Sequence, residues 1–222
     1  MMEQCRSRTS RSTGRCSCRP VAACAKSSPP TSAPGGPLAG RRVPDNPTAA
    51  ATGPGILHIS ERPAEASDRA VPGHWEGDLV FGKRMSPVAT LVERSTRFVM
   101  LVALPDGHKA DLVADALAAK ITTLPAALTR TLTWDQGNEM AEHAKFTQAT
   151  GIDVYFCDPK SPWQRGSNEN TNGLLRQYLP RRLDFRTLTQ PDLDAIALEL
   201  NERPRHTLGF KTPSQALAEV LR

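Results

Sequence analysis

The sequence predicts an α/β fold in which a mixed β-sheet is flanked by helices and preceded by a segment without a core. This prediction rests first on the aromatic residues, because all 11 of them in this 222-residue chain fall at or after Trp75. Residues 1–60, in contrast, hold 8 of the 19 prolines and four of the five cysteines. It rests second on the order of apolar patterns after Trp75, where three strand-like runs come first and helices and strands then alternate.

The first segment, residues 1–56, is rich in Arg, Ser, Ala, Gly and Pro and shows no helical periodicity. Such a stretch cannot bury enough apolar surface to offset its conformational entropy, so we expect it to be disordered or aberrant. We expect a linker over residues 57–72, where apolar residues return, and one folded domain over residues 73–222. The four early cysteines lack the paired spacing of a structural zinc site.

The net charge of +5 comes from 28 basic and 23 acidic residues, and its distribution along the chain is uneven. Residues 73–222 hold 18 of each kind, so the whole excess lies in residues 1–72. A basic chain favours a nucleic-acid partner, but here the domain itself is neutral overall. No apolar run approaches the 18 residues of a membrane-spanning helix, and the N-terminus lacks the apolar stretch of a secretory signal. We therefore expect a cytoplasmic protein without membrane contact.

The first half of the domain is predicted to be mainly strands. Gly77–Phe81 is a short apolar strand, and the β-rich runs Val88–Glu93 and Arg97–Leu104 form a hairpin. Lys109–Leu124 is rich in Ala and Leu at helical spacing, and Pro125 ends this helix.

The second half alternates between the two kinds of element. A strand at Thr131–Trp134 is followed by a helix at Glu139–Thr150, a buried strand at Ile152–Cys157, and helices at Asn168–Leu179, Pro191–Asn201 and Pro213–Leu221. Three meandering strands followed by alternating helices and strands is the order of the ribonuclease-H-like α/β fold. In that fold the first strand is central and the strand ending before Asp135 lies beside it.

Three acidic residues occupy positions that suggest a shared site. Asp78 lies inside the first strand, where charged residues are rare and need a partner. Asp135 follows a strand at the sheet edge where α/β proteins bind ligands, and Glu169 begins a helix after a Pro-rich loop. Three carboxylates are what two Mg²⁺ ions need when phosphates and waters supply the other ligands. Each acid taken alone also fits a turn, cap or helix-dipole role, and Glu139 is a rival third acid.

Four stretches carry a resemblance to a known family: HWEGDLVFG (74–82), TWDQGNEM (133–140), SPWQRGSNENTNGLLRQYLP (161–180) and RPRHTLGFKTPSQAL (203–217). They look like the catalytic half of the IS-thirty family of bacterial insertion-sequence transposases. The resemblance covers about residues 57–222, and its third stretch is the most specific.

The resemblance implies a DDE recombinase in which Asp78, Asp135 and Glu169 hold divalent metal, Mg²⁺ or Mn²⁺, as two ions. Such enzymes cut one DNA strand with water and then use the freed 3′-hydroxyl to attack a second phosphodiester. The implied partners are insertion-sequence ends and target DNA, with a homo-oligomer assembled on the DNA. Family members carry helix-turn-helix domains before this region, a pattern that residues 1–56 lack, so we expect a truncated or frameshifted copy.

The residues around the third acid are candidates for DNA contact. They are polar or basic and could line one face, namely Lys160, Gln164, Arg165, Asn168, Asn172 and Arg176. A solvated charged face and ordinary capping explain them about equally well. Trp163 could stack on a base or anchor its helix, and we favour the anchor. Trp75 and Trp134 are predicted to be core walls of the site, and Cys157 a small buried hydrophobe.

Two other functions are compatible with the sequence. One is a ribonuclease H or another metal nuclease of the same fold, which the specific stretch at residues 161–180 argues against. The other is a catalytically idle DNA-binding fragment that inhibits a full-length transposase.

Overall fold

A six-stranded mixed sheet organises the part of the chain that the computed structural model describes, residues 55–222. The strands are β1 (Leu57–His58), β2 (His74–Phe81), β3 (Pro87–Glu93), β4 (Val99–Ala103), β5 (Thr131–Trp134) and β6 (Asp153–Phe156). Their order in the sheet is β1-β6-β5-β2-β3-β4. The expectation for residues 1–56 lies almost wholly outside the described residues.

Six α-helices accompany the sheet within these residues. They are α1 (Glu65–Asp68), α2 (Ala110–Ile121), α3 (His143–Thr150), α4 (Gly166–Leu175), α5 (Gln190–Asn201) and α6 (Pro213–Val220). Each predicted element from Gly77 onward is present, with ends that shift by a few residues. The largest shifts are at α3, which a short 3₁₀ turn at Asn138–Met140 precedes, and at α4, which begins and ends earlier than predicted. No helix among residues 55–222 is long and apolar enough to cross a membrane.

The sheet combines an antiparallel meander with a parallel half. β2, β3 and β4 pair antiparallel in sequence order, whereas β5 pairs parallel with β2 and β6 pairs parallel with β5. In the β2–β5 ladder Glu76 lies opposite Thr133. Because parallel strands end at the same edge of a sheet, the residues after β5 emerge beside the middle of the longer β2.

Alternate residues of β2 face two separate cores, because side chains along a strand point to opposite faces. Trp75 and Leu79 pack with α2 and α3 residues such as Leu117 and Phe146 on one face. Val80 packs with α4 and α5 residues on the other face. Asp78 shares the second face with Val80, so its neighbours come from α4.

Gly77 lets the central strands pack closely around an aromatic ring. A Cβ atom at this position would overlap the indole ring of Trp134. Trp134 and Trp75 are both completely buried in the first core, on the face of the sheet opposite Asp78, so they are core residues but not walls of the site. Any side chain at residue 77 would therefore displace β5, which leads directly into Asp135.

The free edge of β4 is covered by side-chain amides from α5. Asn201 accepts a hydrogen bond from Val99 N at 2.8 Å and donates one to Val99 O at 2.9 Å. Gln190 accepts from Ala103 N at 2.9 Å and donates to Leu101 O at 2.8 Å. These amides take the place that a further strand would have.

Residues 57–72, expected to be a linker, contain a short strand and a short helix in the structure. Leu57 and His58 pair with Tyr155 and Phe156 as the outermost strand. Ala66 of α1 is completely buried, and its carbonyl accepts a hydrogen bond from Arg94 Nε at 2.9 Å. Pairing and burial join this segment to the domain, and short elements of this kind give no clear periodicity in sequence.

Candidate active site

Asp78 and Asp135 are brought together by the register of β2 and β5. Glu76 pairs with Thr133, and continuing this parallel register by two residues sets Asp78 beside Asp135. The even spacing keeps all four side chains on one face of the sheet. The meeting of two predicted site residues thus follows from strand order and register.

A single guanidinium links the two carboxylates. Arg165 Nη1 lies 3.1 Å from Asp78 Oδ1, and Arg165 Nη2 lies 3.0 Å from Asp135 Oδ2. Arg165 Nη1 also donates a hydrogen bond to the Gly77 carbonyl at 2.9 Å. The Arg165 residue is only 9% exposed, so the guanidinium is held inside the site rather than extended toward solvent.

The electrostatics of these groups reflect burial and mutual charge. Burial raises the pKa of Asp78, and Asp135 adds to this rise while Arg165 opposes it. Burial lowers the pKa of Arg165, but Asp78 and Asp135 together outweigh that effect and raise it. The two carboxylates therefore depend on the Arg165 guanidinium to balance their negative charge.

Some oxygen atoms at the site have no hydrogen-bond partner within the described part of the chain. Asp135 Oδ1 and Asn172 Oδ1 are both buried and unpaired. The amide nitrogen of Asn172 donates to Asp78 Oδ2 at 2.9 Å, which aligns that carboxylate. Buried acceptors without a donor are rare, so these two oxygens indicate room for another electropositive group.

Glu169 lies on the exposed surface of α4. It precedes Asn172 by three residues, so these two positions share one side of the helix, and Arg165 lies just before the helix begins. Asn172 contacts Asp78, which places Glu169 along the same side of α4. Among residues 55–222, however, no three His, Cys, Asp or Glu side chains cluster closely enough to hold a metal ion. The structure thus joins two of the three predicted acids and sets the third on the adjacent helix.

A second network under the site fastens α4 to the sheet, and the sequence prediction missed it. Glu76 is completely buried and forms an ion pair with Arg94. The other Glu76 oxygen accepts the main-chain N–H of Asn168 at 2.9 Å. The Asn168 side chain donates to Glu76 O at 3.2 Å and accepts from Thr90 Oγ1 at 3.0 Å. A glutamate inside a strand, two residues before Asp78, was the available signal.

The candidate DNA contacts divide into internal and accessible groups. Asn168 is completely buried, so the structure corrects it from a DNA contact to an internal one. Gln164 is bound to its own loop, since its side chain accepts from Asp158 N and donates to Asp158 Oδ2, both at 2.8 Å. Arg176 donates to the Phe81 carbonyl at 3.0 Å, and Lys160 is exposed. For Lys160, Gln164, Arg165, Asn172 and Arg176, DNA binding stays a prediction.

A groove opens from Asp135 across the sheet edge. Its volume is about 1390 Å³, and its lining includes Asp135, Arg165, Lys160, Met140 and Phe156. It runs along α3 and β6, so the chain offers continuous space next to the paired carboxylates. The groove is large enough for an extended ligand.

The structure also tests the predicted burial of two further side chains, Trp163 and Cys157. Trp163, expected to anchor its helix, is 73% exposed and is therefore not buried by any described residue. Cys157 is confirmed as a buried hydrophobe, and burial raises the pKa of its thiol to about 11.

Comparisons with known proteins identify a domain family and similar chains. Residues 68–162 match the family model described as integrase core domain, a range that includes Asp78 and Asp135 and ends before Glu169. The chain is 54% identical over 169 residues to the transposase of insertion sequence element IS1086 from Cupriavidus metallidurans, covering 76% of this chain and 50% of that protein. It is 51% identical over 159 residues to transposase InsI of IS30A from Escherichia coli K12, covering 72% of this chain and 41% of that protein.

A solved structure matches the fold at lower sequence identity. The simian T-cell lymphotropic virus intasome structure, determined with the PP2A regulatory subunit B56 gamma, contains a chain that matches with a TM-score of 0.52 and 20% identity. The match covers 66% of this chain and 54% of that one, and it confirms the predicted ribonuclease-H-like α/β fold. The chain spans about half the length of the curated relatives it matches. Over the region that it shares with them, the chain belongs to the IS30 family of insertion-sequence transposases and carries their integrase core domain.

Proposed function

We propose that this chain is a DDE transposase domain that cleaves DNA at the ends of an insertion sequence and joins it to target DNA in the bacterial cytoplasm. Asp78, Asp135 and Glu169 are its catalytic, metal-binding carboxylates. The observation that carries the proposal is the convergence of Asp78 and Asp135 on one cationic group at the carboxyl edge of the parallel strands. The sequence identity to transposases favours this chemistry over that of a ribonuclease H.

The donor atoms at this site fit a divalent cation. The Arg165 guanidinium stands in for a positive ion between two carboxylates, and Asp135 Oδ1 is buried without a donor. Carboxylate oxygens are the ligands that Mg²⁺ and Mn²⁺ prefer, so Asp78 and Asp135, with Glu169, would hold two such ions. When bound, the ions would activate the attacking oxygen and stabilise the leaving oxygen of an in-line displacement.

The chain's own groups would orient that reaction. Asn172 fixes one oxygen of Asp78, and the buried Glu76–Asn168 contacts hold α4 against β2. This arrangement limits how far Glu169 moves relative to the two aspartates. A site held within a fraction of an ångström is what in-line phosphoryl transfer requires.

DNA is the proposed partner, although residues 73–222 have no net charge. Attraction for phosphate would come from a basic strip on residues 160–186, formed by Lys160, Arg165, Arg176, Arg181, Arg182 and Arg186. The exposed Trp163 adds a face on which a base could stack. A homo-oligomer assembled on DNA ends is part of the same proposal.

The proposed function is tested by strand joining in a purified system. The full chain is mixed with pre-nicked insertion-sequence ends and Mg²⁺ or Mn²⁺, and joined products are measured. We expect products with the natural chain and none with Asp78→Ala, while circular dichroism reports the fold of both. The exposed variant Glu199→Gln on α5 is a matched control, since it removes one acid away from the site.

The second candidate is an idle DNA-binding fragment that inhibits a full-length transposase. One observation favours it, because Arg165 already neutralises both aspartates. DNA binding without any joining, together with inhibition of an active relative in the same assay, would support this candidate and contradict the first.

A further inference from the structure

We propose that Arg165 is an internal counter-ion that occupies the space between Asp78 and Asp135 until a divalent cation displaces it. The inference rests on the proposed function, since it concerns the same pair of carboxylates. It assigns Arg165 a role that precedes any contact with DNA, namely competition with the metal.

The geometry of the contact supports this role. The planar guanidinium presents parallel N–H donors in a fork, and here each prong meets a different aspartate at 3.0–3.1 Å. A third contact joins Arg165 Nη1 to the Gly77 carbonyl at 2.9 Å. Arg165 thus occupies the space between the strands with two hydrogen bonds and one further ion-pair contact, to Asp78.

The charge balance gives the contact its purpose. Asp78 and Asp135 lie on adjacent strands with side-chain exposures of 24% and 39%, so two carboxylates share a partly desolvated space. Without a cation they would repel each other and strain the β2–β5 pairing. A guanidinium keeps its charge at every physiological pH, so it leaves this site by moving rather than by losing a proton.

The surroundings provide a place for the displaced side chain. Arg165 directly precedes α4 and also lines the groove of about 1390 Å³ that opens from Asp135. Rotation about the side-chain bonds of Arg165 would carry the guanidinium into this groove without moving the backbone. The departing charge would then lie beside Lys160, in the space where a DNA phosphate is proposed to bind.

Competition has a measurable consequence for metal binding. The apparent dissociation constant of the metal is its intrinsic value divided by the fraction of molecules in which Arg165 has left. Removing the guanidinium should therefore tighten metal binding by at least about fivefold, the lower end of typical coupling between two ligands. It should also destabilise the metal-free protein.

The test measures metal binding without DNA. The full 222-residue chain and its Arg165→Gln and Arg165→Lys variants are titrated with Mn²⁺, and the melting temperature is followed at each concentration. Arg130→Gln is the matched control, because Arg130 pairs with Glu65 at 3.1 Å outside the site. Asp135→Asn in the Arg165→Gln background reports whether the ion binds at the proposed carboxylates.

We expect Arg165→Gln to melt lower than the natural chain without metal and to reach half of its Mn²⁺-dependent gain at a lower concentration. For both the metal-free melting temperature and the half-point Mn²⁺ concentration, Arg165→Lys should lie between the natural chain and Arg165→Gln, since a lysine keeps the charge but cannot contact both aspartates in a fork. The lysine variant replaces Arg165→Gln in the test if the glutamine variant does not fold. Equal or weaker Mn²⁺ binding by both variants would overturn the counter-ion role alone. No Mn²⁺ response in any variant would overturn the metal site of the proposed function as well.

Discussion

Two acid–arginine clusters lie two residues apart on the same face of β2, and they differ in how completely the protein closes them. In the inner cluster the side chains of Glu76 and Arg94 are 0% and 5% exposed. In the outer cluster Asp78 and Asp135 are 24% and 39% exposed around Arg165. One cluster is sealed within the fold, and the other opens to a groove.

The hydrogen bonds follow the same division. Both Glu76 oxygens have partners, one in Arg94 and one in the main-chain N–H of Asn168. Asp135 Oδ1, in contrast, is buried without a donor within residues 55–222. An acid–arginine pair therefore serves structure where its hydrogen bonds are saturated, and it leaves room for a ligand where they are not.

The largest expected effect comes from breaking the outer cluster chemically. Asp135→Asn should lower strand joining by at least about a thousandfold, because a bound metal supplies several kcal/mol of transition-state stabilisation. The fold should survive, since Asp135 follows β5 and is partly exposed. Joining assays combined with circular dichroism check both parts, and loss of the folded state would instead show a structural role.

Breaking the inner cluster should instead lower the stability of the fold. Glu76→Ala leaves the Arg94 guanidinium buried without its partner, so we expect a loss of about 3–5 kcal/mol of unfolding free energy. Denaturation in urea measures this loss. The double variant Glu76→Gln with Arg94→Gln removes both charges and should recover part of the stability; if it is no more stable than the single variant, an unpaired charge is not the cause.

The close packing of β2 against β5 between the two clusters can be tested at Gly77. Gly77→Ala forces a methyl group against the buried indole of Trp134, and overpacking of this kind costs about 1–3 kcal/mol. Asp135 should shift with β5, so the joining rate should fall further than the loss of folded protein alone would explain. Melting temperature and joining rate are measured together, with Gly173→Ala on α4 as the control because a Cβ there has open space.

The smallest expected effect on folding is at Trp163. Its side chain is 73% exposed, so Trp163→Ala should change the unfolding free energy by less than about 0.5 kcal/mol. Affinity for single-stranded DNA should fall by about 1–3 kcal/mol if a base stacks on the ring. Fluorescence anisotropy with labelled DNA measures this, and unchanged affinity would remove Trp163 from the DNA surface.

Sequence reasoning could predict what depends on periodicity and strand order. Alternation along β2 and the end of β5 before Asp135 were enough to predict that Asp78 and Asp135 meet. Residues near the loop before α4 were harder, because a run of polar residues does not reveal which side turns inward. Asn168 and Trp163 were misplaced for this reason, one being buried and the other exposed.

The counter-ion role of Arg165 and the Glu76–Arg94 pair could not be predicted from the sequence for a different reason. An arginine close to an acidic site reads equally well as a phosphate contact, and only the fold shows its fork between two strands. Arg94 lies 18 residues after Glu76, on the neighbouring hairpin, so their pairing depends on tertiary structure. Long-range pairs of this kind leave no periodic signal.

The amides that cover β4 have a consequence for how copies of this chain can associate. An exposed edge strand invites another chain to add a strand, which is a common route to aggregation. Asn201 and Gln190 already bind the outward main-chain groups of Val99 and Ala103, so a second molecule finds few free donors or acceptors there. Copies assembling on DNA would therefore have to meet through helices and loops rather than by extending the sheet at β4.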